Sequence, residues 1–124
     1  MPSESPSTLF VYTTVASEED ARRLAEHVIG ERDAACVSIG APVQSVFRWE
    51  PESEAKTEPA SHAGVQSERE IPLVIKTSAR AYPRLERVIQ AAHPYELPEI
   101  VAVPIQRGLP AFLSWIEEAV AEPD

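Results

Sequence analysis

The residues best equipped for chemistry in this chain of 124 residues lie in one short stretch, His93-Pro94-Tyr95-Glu96-Leu97-Pro98-Glu99. Imidazole is a neutral nitrogen ligand near physiological pH and also an acid–base group. Glu96 or Glu99 can add oxygen ligands, and imidazole with carboxylates suits Cu(II) or Zn(II). His93 or Glu96 is likewise a candidate general acid or base. Pro94 and Pro98 restrict the backbone in advance, so little entropy remains to be lost on docking. In an extended HPYELP, the side chains of His93, Tyr95 and Leu97 alternate with those of Pro94, Glu96 and Pro98. The plainer alternative is that His93 and Tyr95 are packing residues at a helix end.

Three further residues stand apart from their surroundings. Lys76 ends the apolar run IPLVIKT, where a lysine is a poor core residue unless its ammonium is paired. Glu96 or Glu99 is the candidate partner; the alternative is a lysine that snorkels to water at the sheet edge. Cys36, in AACVSI, reads first as a small buried hydrophobe and second as a ligand. Trp49 is either packing or the wall of a pocket between chains. His27 falls off the apolar stripe of its helix and His62 lies in a loose loop, so both read as solvent residues.

Several familiar chemistries are absent. There is no CxxC, HxxH or HExxH, hence no sequence-local metal cage. Lys76-Thr77-Ser78 follows IPLVI instead of glycines, and so is not a phosphate loop. No G-x-S-x-G elbow occurs. A Pro2 amine exposed by loss of Met1 would lead a polar tail instead of a first strand.

The elements that must position these residues can be read from periodicity. TLFVYTTV (8–15) has strand length and strand composition. Ser17 with Asp20 resembles a capping box, and Ala21, Leu24, Ala25, Val28 and Ile29 repeat at helical spacing up to Gly30. Residues 34–39 form a strand, Gly40-Ala41-Pro42 interrupts it, and 43–49 resume it. Residues 50–68 contain one large aliphatic, Val65, and read as a mobile hairpin loop. Residues 71–77 return as a strand. Ser78 can cap a second helix with Tyr82, Leu85, Val88, Ile89 and Ala92 on one face, ending at His93 because Pro94 disfavours helix before it. Residues 99–105 are a further strand. Pro110 opens a last helix with Leu113, Ile116 and Val120 as its stripe and Phe112 and Trp115 on the flanks.

The order is β-α-β-β-α-β plus a C-terminal helix, an α+β chain of the ferredoxin-like split βαβ type. It is expected to form one domain over 8–121, after a flexible tail at 1–7. Both helices then cover one sheet face, leaving aromatics on the other face without cover. Self-association into a closed ring follows. A net charge of −9 without a basic block excludes nucleic acid and anionic membrane as natural partners. No apolar run reaches the ~18 residues of a membrane span, and MPSESPST has no secretory pattern. With one cysteine there is no intrachain disulfide, and a cytoplasmic setting is expected.

In order along the chain, VYTTVASEEDARRLAEHVI, AACVSI, SVFRWE, LVIKT, HPYELPEIVAVPI and GLPAFLSWI resemble the CutA family of divalent-cation tolerance proteins. The resemblance implies a homotrimer with a shape like that of the PII signalling trimers, a role tied to metal ions such as copper, and no enzymatic activity. It makes HPYELPEI an intersubunit cleft segment, with Trp49, Lys76, His93, Tyr95 and Glu96 as cleft residues and His93, Glu96 and Glu99 as a weak metal set. No cofactor is obligatory; Cu(II) or another divalent cation is the implied partner. A PII-like trimer binding a small molecule or anion at Lys76 is the alternative. The chain departs from the family pattern in four ways: Trp49-Glu50-Pro51 with a longer loop replaces Trp-x-Gly, Ser38 stands for Asn, the late pairs Gly108-Leu109 and Phe112-Leu113 together replace Gly-Asn and Tyr-Leu, and residue 13 differs. Thr13 stands where some members carry a cysteine, which disfavours soft Cu(I).

Overall fold

The computed structural model describes residues 7–49, 64–93 and 97–120. Within them the chain forms β1 (Thr8–Val15), α1 (Glu18–Gly30), β2 (Cys36–Ile39), β3 (Val43–Arg48), β4 (Val65–Ser78), α2 (Tyr82–Ala92), β5 (Ile100–Pro104) and α3 (Pro110–Ala119). Strand order is β2-β4-β1-β5, and every pairing is antiparallel. This is the ferredoxin-like arrangement expected from the element order.

Strand parity decides what is buried. On β1, Val11, Thr13 and Val15 face α1 and α2, as do Ile71, Leu73, Ile75 and Thr77 on β4. From the helices, Ala21, Leu24, Val28, Leu85 and Ile89 close the same core. The opposite face carries Phe10, Tyr12 and Thr14 from β1, Val74 and Lys76 from β4, and Val101 and Val103 from β5. Phe10 is 43% exposed and Val103 57% exposed. Within one chain this apolar face has no cover.

The helix ends follow local rules. The Ser17 hydroxyl accepts a hydrogen bond from the Asp20 amide at 3.1 Å, and the acidic first turn suits the positive helix N-terminus. Gly30 closes α1, but the left-handed residue is Arg32, with φ 61°. Its guanidinium donates to the carbonyls of Glu118 and Ala119 at 2.9 and 3.1 Å, fastening the C-terminal end of α3. Ser78 caps the turn before α2, accepting from the Ala81 amide at 3.1 Å, while α2 itself starts at Tyr82-Pro83. His93 follows α2 in extended geometry (φ −86°, ψ 134°), as the residue before a proline must. In α3, Ile116 is buried, and Phe112 and Trp115 stack on its outer side with centroids 5.6 Å apart.

Two boundaries differ from the sequence reading. The expected single interrupted strand over 34–49 is two strands. β2 pairs with residues 73–76 of β4, and β3 pairs with 65–70 as a separate ribbon. The break falls at Gly40, whose amide donates to the Pro72 carbonyl at 2.9 Å and where a Cβ would approach the proline ring to 3.0 Å. The second difference concerns the expected loop at 50–68. β4 begins at Val65, so residues 65–68 are strand, held by cross-strand partners despite their polarity. The rest of that expected loop, 50–63, and the expected tail up to residue 6 lie outside the described residues. Ser7 is tied down: its carbonyl accepts from the Ala79 amide at 2.8 Å.

Candidate functional site

His93 directly follows α2 and is set against β1. Its Nε2 lies 3.5 Å from the hydroxyl of Thr13, a residue with no exposed surface. Burial pushes the imidazole pKa down from its ordinary value, because a buried charge loses hydration. A hydrogen bond with the Thr14 backbone and the carboxylates of Glu70 and Asp20 pull the other way, and burial dominates. His93 is therefore held as neutral imidazole, the form that ligates a metal.

Around the far half of the open face runs a groove of roughly 690 Å³. Phe47 and Trp49 from the β3 side, with Leu97, form its apolar wall. Thr14, Ser45 and three carboxylates, Glu68, Glu70 and Glu99, supply its polar groups. Ser45 donates to Glu70 at 2.6 Å, which fixes one carboxylate. Tyr12 lies beside the groove, and its phenol pKa is raised by burial and then by the charges of Glu99 and Glu70. It remains a protonated donor at neutral pH.

Lys76 occupies the other end of that face. Its Nζ is 4.0 Å from the Cys36 sulfur and 5.3 Å from the centre of the Phe10 ring. The expected pairing of Lys76 with Glu99 does not form within the chain. Lys76 is opposite Phe10, whereas Glu99 precedes Ile100, which is opposite Thr13. The two are separated by two strand spacings across the sheet and about 13 Å along it. Glu96 and Tyr95 lie outside the described residues.

Of the sequence candidates, the structure thus brings Trp49 and Glu99 into one groove and sets His93 against Thr13 with Glu70 in electrostatic reach. It places Lys76 with Cys36, away from Trp49. Among the described residues no three His, Cys, Asp or Glu side chains gather closely enough to hold a metal ion. The residues that sequence reasoning missed are Glu68, Glu70, Phe47, Ser45 and Tyr12. A signal for the two glutamates was present: in QSEREIPLVIKT the even positions 66 to 76 share a face and the odd positions from 71 are core.

Fold and site together define a ferredoxin-like α+β protein with an apolar sheet face uncovered within one chain, an acidic aromatic-walled groove on that face, and a histidine set against Thr13 of β1. The chain matches the family described as "CutA1 divalent ion tolerance protein" over residues 9–63 and 61–119. It is 40% identical over 108 residues to the divalent-cation tolerance protein CutA of Thermus thermophilus, covering 87% of this chain and 93% of that protein. Identity to the Archaeoglobus fulgidus CutA protein is 38%, over 90% of this chain and 96% of the relative. The crystal structure of CutA1 from Shewanella sp. SIB1 superposes with a TM-score of 0.83 at 30% identity, over 96% of this chain and 100% of that one. CutA1 from Oryza sativa gives 0.82 at 33% identity, over 98% and 100%. The chain belongs to the CutA family of divalent-ion tolerance proteins. Compartment varies among the relatives: the Archaeoglobus structure is described as periplasmic and the rice protein as chloroplastic. No described helix here is long and apolar enough to cross a membrane.

Proposed function

We propose that this chain acts as a cytoplasmic homotrimer in the response to divalent metal ions, copper above all. It binds the ion weakly, without catalysis, at clefts between subunits that share the shape of PII-like trimers. The observation that carries this reading is His93, an imidazole kept neutral against Thr13 of β1 with the Glu70 carboxylate in electrostatic reach; imidazole with carboxylates is a donor set for a borderline cation such as Cu(II) or Zn(II). His93 supplies nitrogen, and Glu99 with Glu96 supplies oxygen. Because no three-donor cluster exists among the described residues, water or a neighbouring chain completes the shell and affinity stays modest. The uncovered face with Phe10, Val101 and Val103 supports assembly, since an apolar patch of this kind gains by leaving water.

Calorimetric titration with Cu(II) and Zn(II) at neutral pH, beside native mass spectrometry, tests both parts. The expected result is a trimer with weak binding that is lost in His93→Ala while the trimer persists. Unchanged Cu(II) affinity in that variant places the metal elsewhere, and a monomeric wild type removes the clefts.

A second reading has its own observation. Lys76 is half-buried, and among the described residues it has only a thiol and an aromatic face as partners. An anionic metabolite bound there would make the protein a small-molecule sensor. Such binding would survive chelators and disappear in Lys76→Ala.

A further inference from the structure

The outer side of α2 is basic in a chain whose net charge is −9. Arg84 and Arg87 lie three positions apart on the helix, and Arg80 stands in the turn that leads into it. The three share the side opposite the buried Leu85 and Ile89. Arg80 and Arg84 crowd the positive N-terminal end of α2, whose first turn holds no acidic residue, a placement that helix stability disfavours. Carboxylates from other elements hold them there. The Nε of Arg84 donates to Oδ1 of the buried Asp33 at 2.5 Å, while the Arg84 side chain stays 42% exposed. Nη2 of Arg80 lies 3.7 Å from Oε1 of Glu117. Arg32, beside Asp33 in the chain, bonds the neutral carbonyls of Glu118 and Ala119. Arg87 is exposed and makes no hydrogen bond or ion pair among the described residues. Glu86, the one carboxylate of α2, accepts from the Tyr82 hydroxyl at 2.9 Å.

We infer that the outer face of α2 is a docking surface for an extended acidic segment of a partner protein, whose carboxylates are taken by Arg80, Arg84 and Arg87. The surface holds guanidinium groups only; both lysines, Lys56 and Lys76, lie elsewhere in the chain. A planar guanidinium fork matches a carboxylate with two parallel hydrogen bonds, which an ammonium cannot do. Asp33 takes the Nε of Arg84 and so fixes that guanidinium before a partner arrives, which lowers the ordering cost of binding. Alternate side chains of an extended segment are about 7 Å apart, within reach of long arginine stems whose Cβ atoms are about 5–6 Å apart on the helix. Charge selects the class of partner. Screening limits electrostatic reach to about 8 Å at physiological ionic strength, so a short acidic segment meets the arginines alone. A membrane or a nucleic acid is far larger than this patch and meets the rest of an acidic chain. The surface lies on the helix side of the sheet, across from the uncovered apolar face and the groove, and stands apart from the metal site and the assembly proposed above.

Fluorescence anisotropy of a labelled peptide of alternating glutamate and alanine, titrated with the full chain, tests it. Weak, saturable binding is expected, falling about tenfold between about 50 and 200 mM salt, while a lysine–alanine peptide of the same length does not bind. Arg80→Glu/Arg87→Glu should raise the Kd about tenfold or more, with circular dichroism confirming the fold. Arg84 is kept in that variant, because its loss would strand the buried Asp33 carboxylate. Arg22→Glu/Arg23→Glu makes the same change of net charge on the exposed side of α1 and should leave the Kd within about twofold. An equal loss in the α1 variant overturns the assignment to α2. Phosphatidylserine vesicles or a single-stranded DNA oligomer that displace the peptide at equal charge concentration overturn the choice of partner. A folded wild type that does not bind the peptide even at the lowest salt overturns the surface outright.

Discussion

The Nε2 atom of His93 lies 3.5 Å from the Oγ1 atom of Thr13, joining the end of α2 to the middle of β1 across 80 positions of sequence. Residue 13, the position at which the family resemblance implies a thiol in some members, faces the imidazole proposed above as a nitrogen donor. A hydroxyl is a poor ligand for a soft cation and a good hydrogen-bond partner for a neutral ring. At the metal site proposed above, Thr13→Cys should therefore shift the preference towards Cu(I). Competition titration against a Cu(I) chelator measures it, and equal Cu(I) affinity in variant and wild type would separate residue 13 from the metal.

The same contact has a pH consequence. Burial lowers the pKa of His93 in the folded chain below the ordinary 6.5 of the unfolded one. As pH falls, the unfolded state takes up the proton first, so stability declines from about pH 6.5 downwards and levels off below the folded-state pKa. Above that window His93 contributes no slope. Urea unfolding of the wild type should lose more midpoint between about pH 7.5 and 5 than that of His93→Gln. Parallel curves would show that the imidazole titrates alike in both states.

Two substitutions on opposite faces of the sheet should separate folding from assembly. Leu85 is fully buried on α2, and Leu85→Ala should cost about 2–5 kcal/mol of stability through lost transfer energy and a cavity. Phe10 lies on the uncovered face, and Phe10→Ser should leave the subunit folded while shifting it to monomer. Denaturant unfolding reports the first and sedimentation velocity the second. Leu85→Ala that unfolds like the wild type would contradict the core assignment.

Arg32 combines a cost and a gain. Its φ of 61° is unfavourable for a residue with a Cβ, while its guanidinium holds two carbonyls at the end of α3. Arg32→Ala loses the bonds and keeps the strain; Arg32→Gly loses the bonds and relieves it. The glycine variant should be the more stable of the two by about 1 kcal/mol. Hydrogen exchange in α3 should speed up in both variants, whereas unchanged exchange would mean that other contacts hold the helix.

The sequence by itself determined the elements that one residue's neighbours can specify. Helical spacing and the Ser17 cap define α1, Pro94 ends α2 at His93, and apolar, β-branched composition marks β1 and the 71–77 part of β4 as strands, because these signals are set by local backbone geometry and near neighbours. It also marked Gly40 as an interruption, though not that the chain divides there into two strands. Residues 65–68 escaped notice because a single valine, Val65, followed by Gln66, Ser67 and Glu68 gives no strand pattern; the ladder with β3 extends them.

Tertiary structure decided everything that depends on which strands lie side by side. Register alone put Lys76 opposite Phe10 and Cys36 instead of near Glu99, and gathered Glu68, Glu70 and Glu99 with Trp49 from segments far apart in sequence. Only the fold could set His93 against Thr13 and desolvate it so that its pKa falls below the ordinary value, since desolvation is a property of the surrounding atoms and not of the residue that carries the charge.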